Sequence, residues 1–431
     1  MKIEKLKINT YRGLENLDFD FKYPADYKDQ SKAGKPLDKI CFIGQSASGK
    51  TSLLDLIYEL SLSITNLETI KNKTLTNFRN RLSEFDGEVN FKIDNDILIQ
   101  KNNIVQYKDH TYKNQNSGGV VTPLLPSNLK KNILYLKSNL VSEKNIEIFT
   151  KSPIELLEKY NEIKNNLSNS ENENYGYLFD SNINSELWIF LLSEILDYRK
   201  AFTQKMSELI HKGFIADENR LSTEFKKWQK GNPNAIKSFA EKLNPILDNL
   251  FLEVDLINTE YTIPISNKKN SKVIPIQSTS TGTKGLLLSF LPLYKLETID
   301  SIILIDEPER SLYPDMQIGL MEHYFSMAKS AQFIVATHSP FIAASFEPEE
   351  RFILYFDDKG NVKLKQGKSP IGDDPNDLLK NDFGIDYYNK HGKEAYHDYL
   401  RLKQKVSKEK DESKKKKLML EMVKLGDDYN F

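Results

Sequence analysis

The stretch Gly44-Gln45-Ser46-Ala47-Ser48-Gly49-Lys50-Thr51 decides the fold, because it matches the phosphate-loop pattern GxxxxGK[ST] at every fixed position. Before it, residues 39–43 (KICFI) read as a buried strand, and residues 52–62 after it carry leucine and isoleucine at helical spacing. In that context, backbone N–H groups and a helix N-terminus face a triphosphate. The alternative is a chance Gly/Ser-rich turn. The residues predicted to bind nucleotide are Gly44, Ser46, Ser48, Gly49, Lys50 and Thr51, with the Thr51 hydroxyl also on Mg²⁺.

Length and charge limit the class of protein. The 431 residues are enough for two or three domains with sizeable cores. The net charge of −1 creates no global field for nucleic acid or membrane, so such binding needs local patches. The single cysteine, Cys41, excludes a disulfide framework or a cysteine-built zinc site. Because no apolar run of about 18 residues occurs, we expect a soluble, cytoplasmic protein without a membrane partner.

Alternating strand and helix patterns indicate an α/β fold with a mixed sheet. Two antiparallel strands are predicted before the phosphate-loop strand, at residues 2–8 and 17–21, and further strands follow between residues 87 and 136. Helical patterns dominate after residue 152, and strands return at 251–255 and 261–265. The predicted segments are an N-terminal lobe (1–150), a helical insertion (151–245), a C-terminal lobe (246–375) and a helical tail (376–431).

A second informative stretch, residues 301–309 (SIILIDEPE), is an apolar run that ends in carboxylates. This pattern is typical of a buried parallel strand whose C-terminal end lies at the ligand-binding edge of the sheet. We expect Asp306 to hold Mg²⁺ and Glu307 to orient or deprotonate the water that attacks the γ-phosphate. The alternative is a plain Asp-Glu-Pro turn.

A third apolar strand, residues 332–336 (QFIVA), precedes Thr337-His338-Ser339-Pro340. It is predicted to end at the same edge, where the His338 imidazole would contact a γ-phosphate oxygen or the attacking water. The predicted catalytic residues are therefore Glu307 and His338. A structural histidine is the alternative for His338.

Residues 277–285 (QSTSTGTKG) open an apolar helix and form a second candidate anion site through Ser280, Gly282 and Lys284. A single nucleotide rarely needs two such elements from one subunit. This favours a homodimer in which each nucleotide contacts one chain's phosphate loop and the partner's residues 280–284. The alternative is an ordinary helix with a serine cap.

In this order, these stretches resemble ATP-binding-cassette ATPases of the RecF/SMC/OLD type, over about residues 1–140 and 245–372. Further motifs are residues 9–14 (NTYRGL) and 312–314 (LYP). The resemblance implies a P-loop ATPase head that uses ATP and Mg²⁺. It also implies that residues 280–284 act as a signature motif in trans, Ser311-Leu312 as the D-loop and His338 as the switch histidine. The layout is most similar to stand-alone phage-defence ATPases, such as PtuA of Septu and retron systems or AriA of PARIS.

The sequence also departs from these families. Thr281 stands where glycine is common, Tyr313 where many relatives carry histidine, and residues 137–139 (KSN) offer no Q-loop glutamine. No CxxC zinc hook, long heptad arms or Toprim metal cluster is recognisable. We therefore expect no intact nuclease here, so that a separate effector protein, a nuclease or toxin, would act on the target.

The sequence thus predicts an ATPase that dimerises, or forms a higher homo-oligomer, around ATP and controls an effector in antiphage defence. Two alternatives remain open. One is a RecF-like DNA-binding ATPase of repair or replication, and the other is a nucleotide-gated scaffold with negligible turnover. The basic run at residues 414–417 is interpreted as a solvated helix face. The basic stripe expected of the DNA-binding alternative comprises Lys130, Lys131, Lys268, Lys269 and Lys272.

Overall fold

The computed structural model describes residues 1–65, 84–102, 104–113, 131–171, 176–258, 260–385 and 390–429. Its strands are β1 (Lys2–Tyr11), β2 (Leu14–Asp20), β3 (Lys39–Gly44), β4 (Asp86–Ile93), β5 (Asp96–Lys101), β6 (Ile104–Tyr107), β7 (His110–Lys113), β8 (Ile133–Leu136), β9 (Gly176–Phe179), β10 (Leu252–Val254), β11 (Ile265–Asn267), β12 (Val273–Ile274), β13 (Ile302–Asp306), β14 (Gln332–Thr337), β15 (Arg351–Phe356) and β16 (Val362–Gln366).

In the described part of the chain, one helix follows β3 and the others come after β8. They are α1 (Lys50–Thr65), α2 (Glu143–Thr150), α3 (Pro153–Glu171), α4 (Ser185–Leu191), α5 (Ser193–His211), α6 (Glu218–Gly231), α7 (Ala235–Leu247), α8 (Thr281–Lys295), α9 (Pro314–Gln317), α10 (Leu320–Met327), α11 (Pro340–Ala343), α12 (Pro375–Asn381), α13 (Lys390–Lys408) and α14 (Glu412–Tyr429). Among the described residues, no helix is long and apolar enough to cross a membrane.

The central sheet has the strand order β16-β15-β3-β14-β13-β8-β9. All its neighbours pair in parallel except β15 and β16. Strands β13 and β14 are buried along their whole length, as their apolar runs predict for parallel strands covered on both faces. Because β3, β14 and β13 run in the same direction, the residues after each strand meet at one edge of the sheet.

An antiparallel sheet, β2-β1-β4-β5-β6-β7, faces one side of the central sheet across α1. The predicted antiparallel pairing of β1 with β2 is confirmed. Side chains such as Phe19, Leu53 and Leu304 form the core between the layers, and burying each one stabilises the fold by about 1.5–3 kcal/mol. The wholly buried Gln332 amide fixes the layers by donating to the carbonyl oxygens of Ile3 and Leu37 and accepting the Ile3 N–H.

The other face of the central sheet is covered by helices that follow β8 in sequence, including α4, α7 and α8. Trp188 of α4 is completely buried there and donates its indole N–H to Asn145 at 3.2 Å. The sequence predicts a helical insertion over residues 151–245, but the structure has a strand, β9, within that range. Strand β9 pairs with β8 at the edge of the sheet, so this segment adds a strand to the central sheet and shares its core.

Other differences are smaller. The helix expected to run from the phosphate loop to about Phe85 is described to Thr65, and residues 66–83 lie outside the described residues. The strand expected at 261–265 begins only at Ile265 and belongs to the small antiparallel sheet β10-β11-β12. The four-segment division of the chain stays a prediction.

Candidate functional site

The phosphate loop leaves β3 and enters α1, and two of its glycines are required by close contacts. A Cβ on Gly44 would lie 2.4 Å from the carbonyl oxygen of Leu354 and 2.7 Å from Ser48 Oγ. Gly49 has a φ of 90°, and a Cβ there would lie 2.6 Å from Leu14 Cδ2. Glycine therefore lets the loop lie close to both β15 and the β1–β2 turn.

The Lys50 ammonium lies inside this loop. Its Nζ donates to the carbonyl oxygens of Gly44 at 2.8 Å and Gln45 at 3.0 Å, and the residue is only 6% exposed. Burial lowers the pKa of Lys50 to about 8, although Glu307 and Asp306 oppose the change. The buried Ser48 hydroxyl has no hydrogen-bond partner among the described residues. Lys50 and Ser48 are thus suited to a phosphate group, and the exposed Ser46 lies at the tip of the loop.

The end of β13 meets the start of α1. The Thr51 hydroxyl lies 3.2 Å from both carboxylate oxygens of Asp306, which is 5% exposed. Burial, followed by the charge of Glu307, raises the pKa of Asp306, whereas hydrogen bonds from Thr51 and Ser138 act in the opposite direction. Mg²⁺ is usually held by one or two carboxylates together with waters and substrate phosphates. This carboxylate and hydroxyl pair therefore fits the metal ligands predicted from the sequence.

The two predicted catalytic residues also lie together. His338 Nε2 is 3.7 Å from Glu307 Oε1, and both side chains are partly exposed. Glu307 adopts a left-handed backbone with a φ of 51°, and its N–H donates to the carbonyl oxygen of Ala336 on β14. Burial and the nearby Lys50 charge lower the pKa of His338, which favours the neutral imidazole at pH 7. At 3.7 Å the two groups are too far apart for a direct hydrogen bond, and both can contact a group placed between them.

A polar network behind His338 was missed by sequence reasoning. The Oε1 atom of Glu309 accepts the Thr337 hydroxyl and the His338 N–H, each at 2.8 Å. The Ser339 hydroxyl donates to Gln317 Oε1 at 2.6 Å, and the Gln317 amide donates to the carbonyl oxygen of Leu312 at 2.8 Å. This network connects the residues around His338 to Leu312, in the stretch that the resemblance predicts to be the D-loop.

Residues 280–284 form the start of α8, where Ser280 is exposed and Gly282 is buried. The Ser280 hydroxyl caps α8 by accepting the Thr283 N–H at 3.1 Å, and Lys284 donates to the carbonyl oxygen of Gln277 at 2.9 Å. A Cβ on Gly282 would lie 2.6 Å from the carbonyl oxygen of Ser311, so this glycine packs closely on the backbone of the predicted D-loop. In the described parts of the chain, no hydrogen bond joins Ser280, Gly282 or Lys284 to the phosphate loop. The structure therefore brings together the predicted residues of the three strand ends, but not those of the signature stretch.

The stretch that offered no Q-loop glutamine, residues 137–139, also reaches the site. Ser138 hydrogen-bonds Asp306, and Lys137 Nζ lies 2.9 Å from Asp55. Asp55 also pairs with Arg12 at 3.4 Å. The sequence signal that could have predicted this contact is the position of residues 137–139 directly after β8, because β8 ends at the same sheet edge as β13.

Comparisons with known structures identified heads of SMC proteins. One is an SMC head bound to the C-terminal winged-helix domain of ScpA, with 14% identity and a TM-score of 0.42, covering 85% of this chain and 97% of that one. A head with an extended coiled coil, bound to a ScpA domain derived from Pyrococcus furiosus, has 16% identity and a TM-score of 0.38, with 85% and 96% covered. The Thermotoga maritima SMC head has 12% identity and a TM-score of 0.38, with 86% and 100% covered. No curated protein sequence matches significantly.

The sequence itself matches one family model. The match extends over residues 1–343 and thus includes the phosphate loop, Asp306, Glu307 and His338. The predicted α/β head with a mixed sheet is confirmed, and so is the coarser resemblance to ATP-binding ATPases. This chain belongs to the family described as the AAA ATPase domain.

Proposed function

We propose that this protein binds and hydrolyses ATP in a dimer that closes around the nucleotide, and that this cycle controls a separate effector protein in bacterial antiphage defence. One observation carries the enzymatic part. The Thr51–Asp306 pair and the Glu307–His338 pair converge beside the buried Lys50 at a single sheet edge. Phosphoryl transfer needs little more than such positioning and charge stabilisation.

Each residue has a defined task in this reaction. Lys50 and the loop N–H groups bind the phosphates, with the ammonium exchanging its carbonyl acceptors for phosphate oxygens. Thr51 and Asp306 would hold Mg²⁺, which supplies charge neutralisation on the phosphates when bound. Glu307 orients the attacking water and accepts its proton. The neutral His338 can donate an N–H to the γ-phosphate or hold the water from the other side.

The dimer is supported by the second anion-binding element. Residues 280–284 begin α8, whose first N–H groups form a site for a negative charge. Because they contact the D-loop and not the phosphate loop of their own chain, we place them against the nucleotide of a second copy. Closure on ATP would then move Gly282 together with Ser311, and thereby change the surface offered to an effector.

The DNA-binding alternative gains no specific support from the described lysines. Lys131 lies 3.9 Å from Asp300, Lys268 pairs with Asp248, and Lys269 lies over the Phe251 ring at 4.0 Å. Lys130 lies outside the described residues. Lys269 and Lys272 are exposed and form no ion pair among the described residues, but two such lysines are too few for the stripe that phosphate binding along a duplex would use.

The decisive experiment compares wild type with Glu307→Gln, measuring ATP turnover and mass in solution with and without ATP. Removing the base should reduce turnover by about 100-fold or more and trap an ATP-dependent dimer. Asp306→Asn is the matched control, since it should lose turnover without trapping the dimer. A Glu307→Gln protein that stays monomeric with ATP bound contradicts the closing dimer. Unchanged slow hydrolysis in all three proteins would favour the nucleotide-gated scaffold.

The effector is tested separately by purification from the native locus with and without phage challenge. We expect a second protein to accompany the wild type, and its release or retention to differ in Glu307→Gln. Recovery of this chain alone, together with unchanged sensitivity to phage, contradicts the defence part of the proposal and leaves the ATPase part intact.

A further inference from the structure

Helix α14 has two different apolar faces. Leu418, Met422 and Leu425, spaced as on one helix face, are half-buried where α14 packs against α13. On the far side, Leu420 is 64% exposed and Val423 is 47% exposed. The contact between α13 and α14 therefore covers the first apolar face and leaves the second exposed.

The uncovered face carries the stripe Lys416, Leu420, Val423 and Asp427. The spacings are four, three and four residues, which places all four side chains along one side of the helix. Lys416 and Asp427 are exposed, and neither forms an ion pair within the described part of the chain. We call these four residues the α14 stripe.

The α14 stripe has symmetric spacing and carries opposite charges at its two ends. Read in either direction, the spacing is four, three, four, with two apolar residues between a base at one end and an acid at the other. A second copy laid antiparallel would place Leu420 against Val423 and Lys416 against Asp427, twice, around a two-fold axis. A parallel copy would instead oppose Lys416 to Lys416 and Asp427 to Asp427. The alternation of four and three residues suits a left-handed crossing, and antiparallel helix dipoles attract.

We propose that the α14 stripe is a docking surface for the same stripe of a second copy of this chain, in antiparallel orientation and without any need for nucleotide. Two apolar layers bury far less than the roughly 1,200–2,000 Å² of a stable interface, so the contact is weak alone. The contact would raise the local concentration of one copy around the other, because it keeps two copies near each other before ATP closes the head.

The proposal is tested in the absence of nucleotide, so its failure is distinct from a failure of the ATPase mechanism. Self-association is measured by sedimentation equilibrium over a wide protein concentration range. Lys416→Asp and Asp427→Lys each turn two attractive pairs into two repulsive ones, and we expect the association constant to fall about tenfold or more. The double variant restores both pairs in reversed form and should recover the wild-type constant within about threefold.

Mixing the two single variants should also restore association, since each would then supply the charge that the other lacks. Glu421→Lys is the matched control: it makes the same charge change as Asp427→Lys, lies outside the stripe, and should leave association unchanged. Far-UV circular dichroism checks that α14 remains helical. The proposal is overturned if the wild type does not self-associate, if the single variants associate as the wild type does, or if the double variant fails to recover.

Discussion

The Oε1 atom of Glu309 accepts the backbone N–H of His338 at 2.8 Å. The same oxygen accepts the Thr337 hydroxyl, so one carboxylate fixes the turn from which the imidazole projects. Burial raises the pKa of Glu309, while the hydrogen bonds from His338 and Thr337 act against the increase. Glu309 thus positions His338 at some cost to stability at neutral pH.

Glu309→Gln should preserve the acceptor and remove the buried charge. Because its folded-state pKa is raised, the carboxyl group favours folding below its unfolded pKa of 4.5, and this contribution disappears as the pH rises through the folded-state value. We therefore expect Gln to flatten the decrease of the unfolding free energy that begins as the pH rises through the unfolded pKa of 4.5. Turnover should stay within about threefold of wild type, since both hydrogen bonds remain.

Glu309→Ala removes the acceptor and is the contrasting variant. Leaving the Thr337 hydroxyl and the His338 N–H unpaired should cost about 1–3 kcal/mol and reduce turnover more than ATP affinity. Urea unfolding at several pH values and steady-state ATPase assays provide both readouts. Equal turnover in the Gln and Ala variants would show that the carboxylate does not position His338.

Lys50 makes ATP binding sensitive to alkaline pH. Its pKa of about 8 means that the free protein loses the ammonium charge above that value. Between pH 8 and 9, ATP affinity should fall by up to about tenfold, and binding should take up a proton because phosphate restores the charge. Calorimetry in two buffers with different ionisation enthalpies measures this uptake. Lys50→Met is the control, and an identical proton uptake in that variant would assign the effect to another group.

Two glycines of α8 offer a matched pair of alanine substitutions. A Cβ at Gly282 would lie 2.6 Å from the Ser311 carbonyl oxygen, whereas at Gly285 it would lie 3.5 Å from the Val141 side chain. We expect Gly282→Ala to displace α8 from Ser311 and reduce ATP-dependent dimerisation at least tenfold, with little effect on nucleotide binding by the monomer. Gly285→Ala should be tolerated and stabilise the helix by about 0.5–1 kcal/mol. Equal behaviour of the two variants in a dimerisation assay contradicts this view.

Arg351 and Asp382 form an ion pair with both side chains fully buried and 3.3 Å between Nε and Oδ2. The other Asp382 oxygen accepts the Lys368 N–H at 2.9 Å, which joins α12 to the end of β16. Asp382→Ala strands the guanidinium and should lower the unfolding free energy by about 3–5 kcal/mol. The double variant Arg351→Met/Asp382→Leu should be much closer to wild type. A double variant as unstable as the single one would indicate that the pair itself, and not the uncompensated charge, supports the fold.

Sequence alone predicted the parts of the site whose chemistry is local. The phosphate loop, Asp306, Glu307 and His338 each follow an apolar strand, and parallel strands bring such ends to one edge. Strand β9 was not predicted because its four residues are too few to show a periodic pattern. They form a strand because they pair with β8, and that contact depends on tertiary structure. The roles of Glu309 and Gln317 were not predicted for a related reason. Both side chains bond to residues 337–339, which lie at least 22 residues further along the sequence.

The strand order, too, was beyond prediction, and it has a consequence for the dimensions of the site. Strand β14 lies between the phosphate-loop strand and the acidic strand, with Ala336 in register with Phe42 on one side and Asp306 on the other. Ala336 is completely buried in the layer that α1 covers. At this position β14 adds only a methyl group to the core shared with the helix that carries Thr51. We therefore expect a larger side chain at position 336 to displace α1 and to lengthen the 3.2 Å distance between the Thr51 hydroxyl and Asp306.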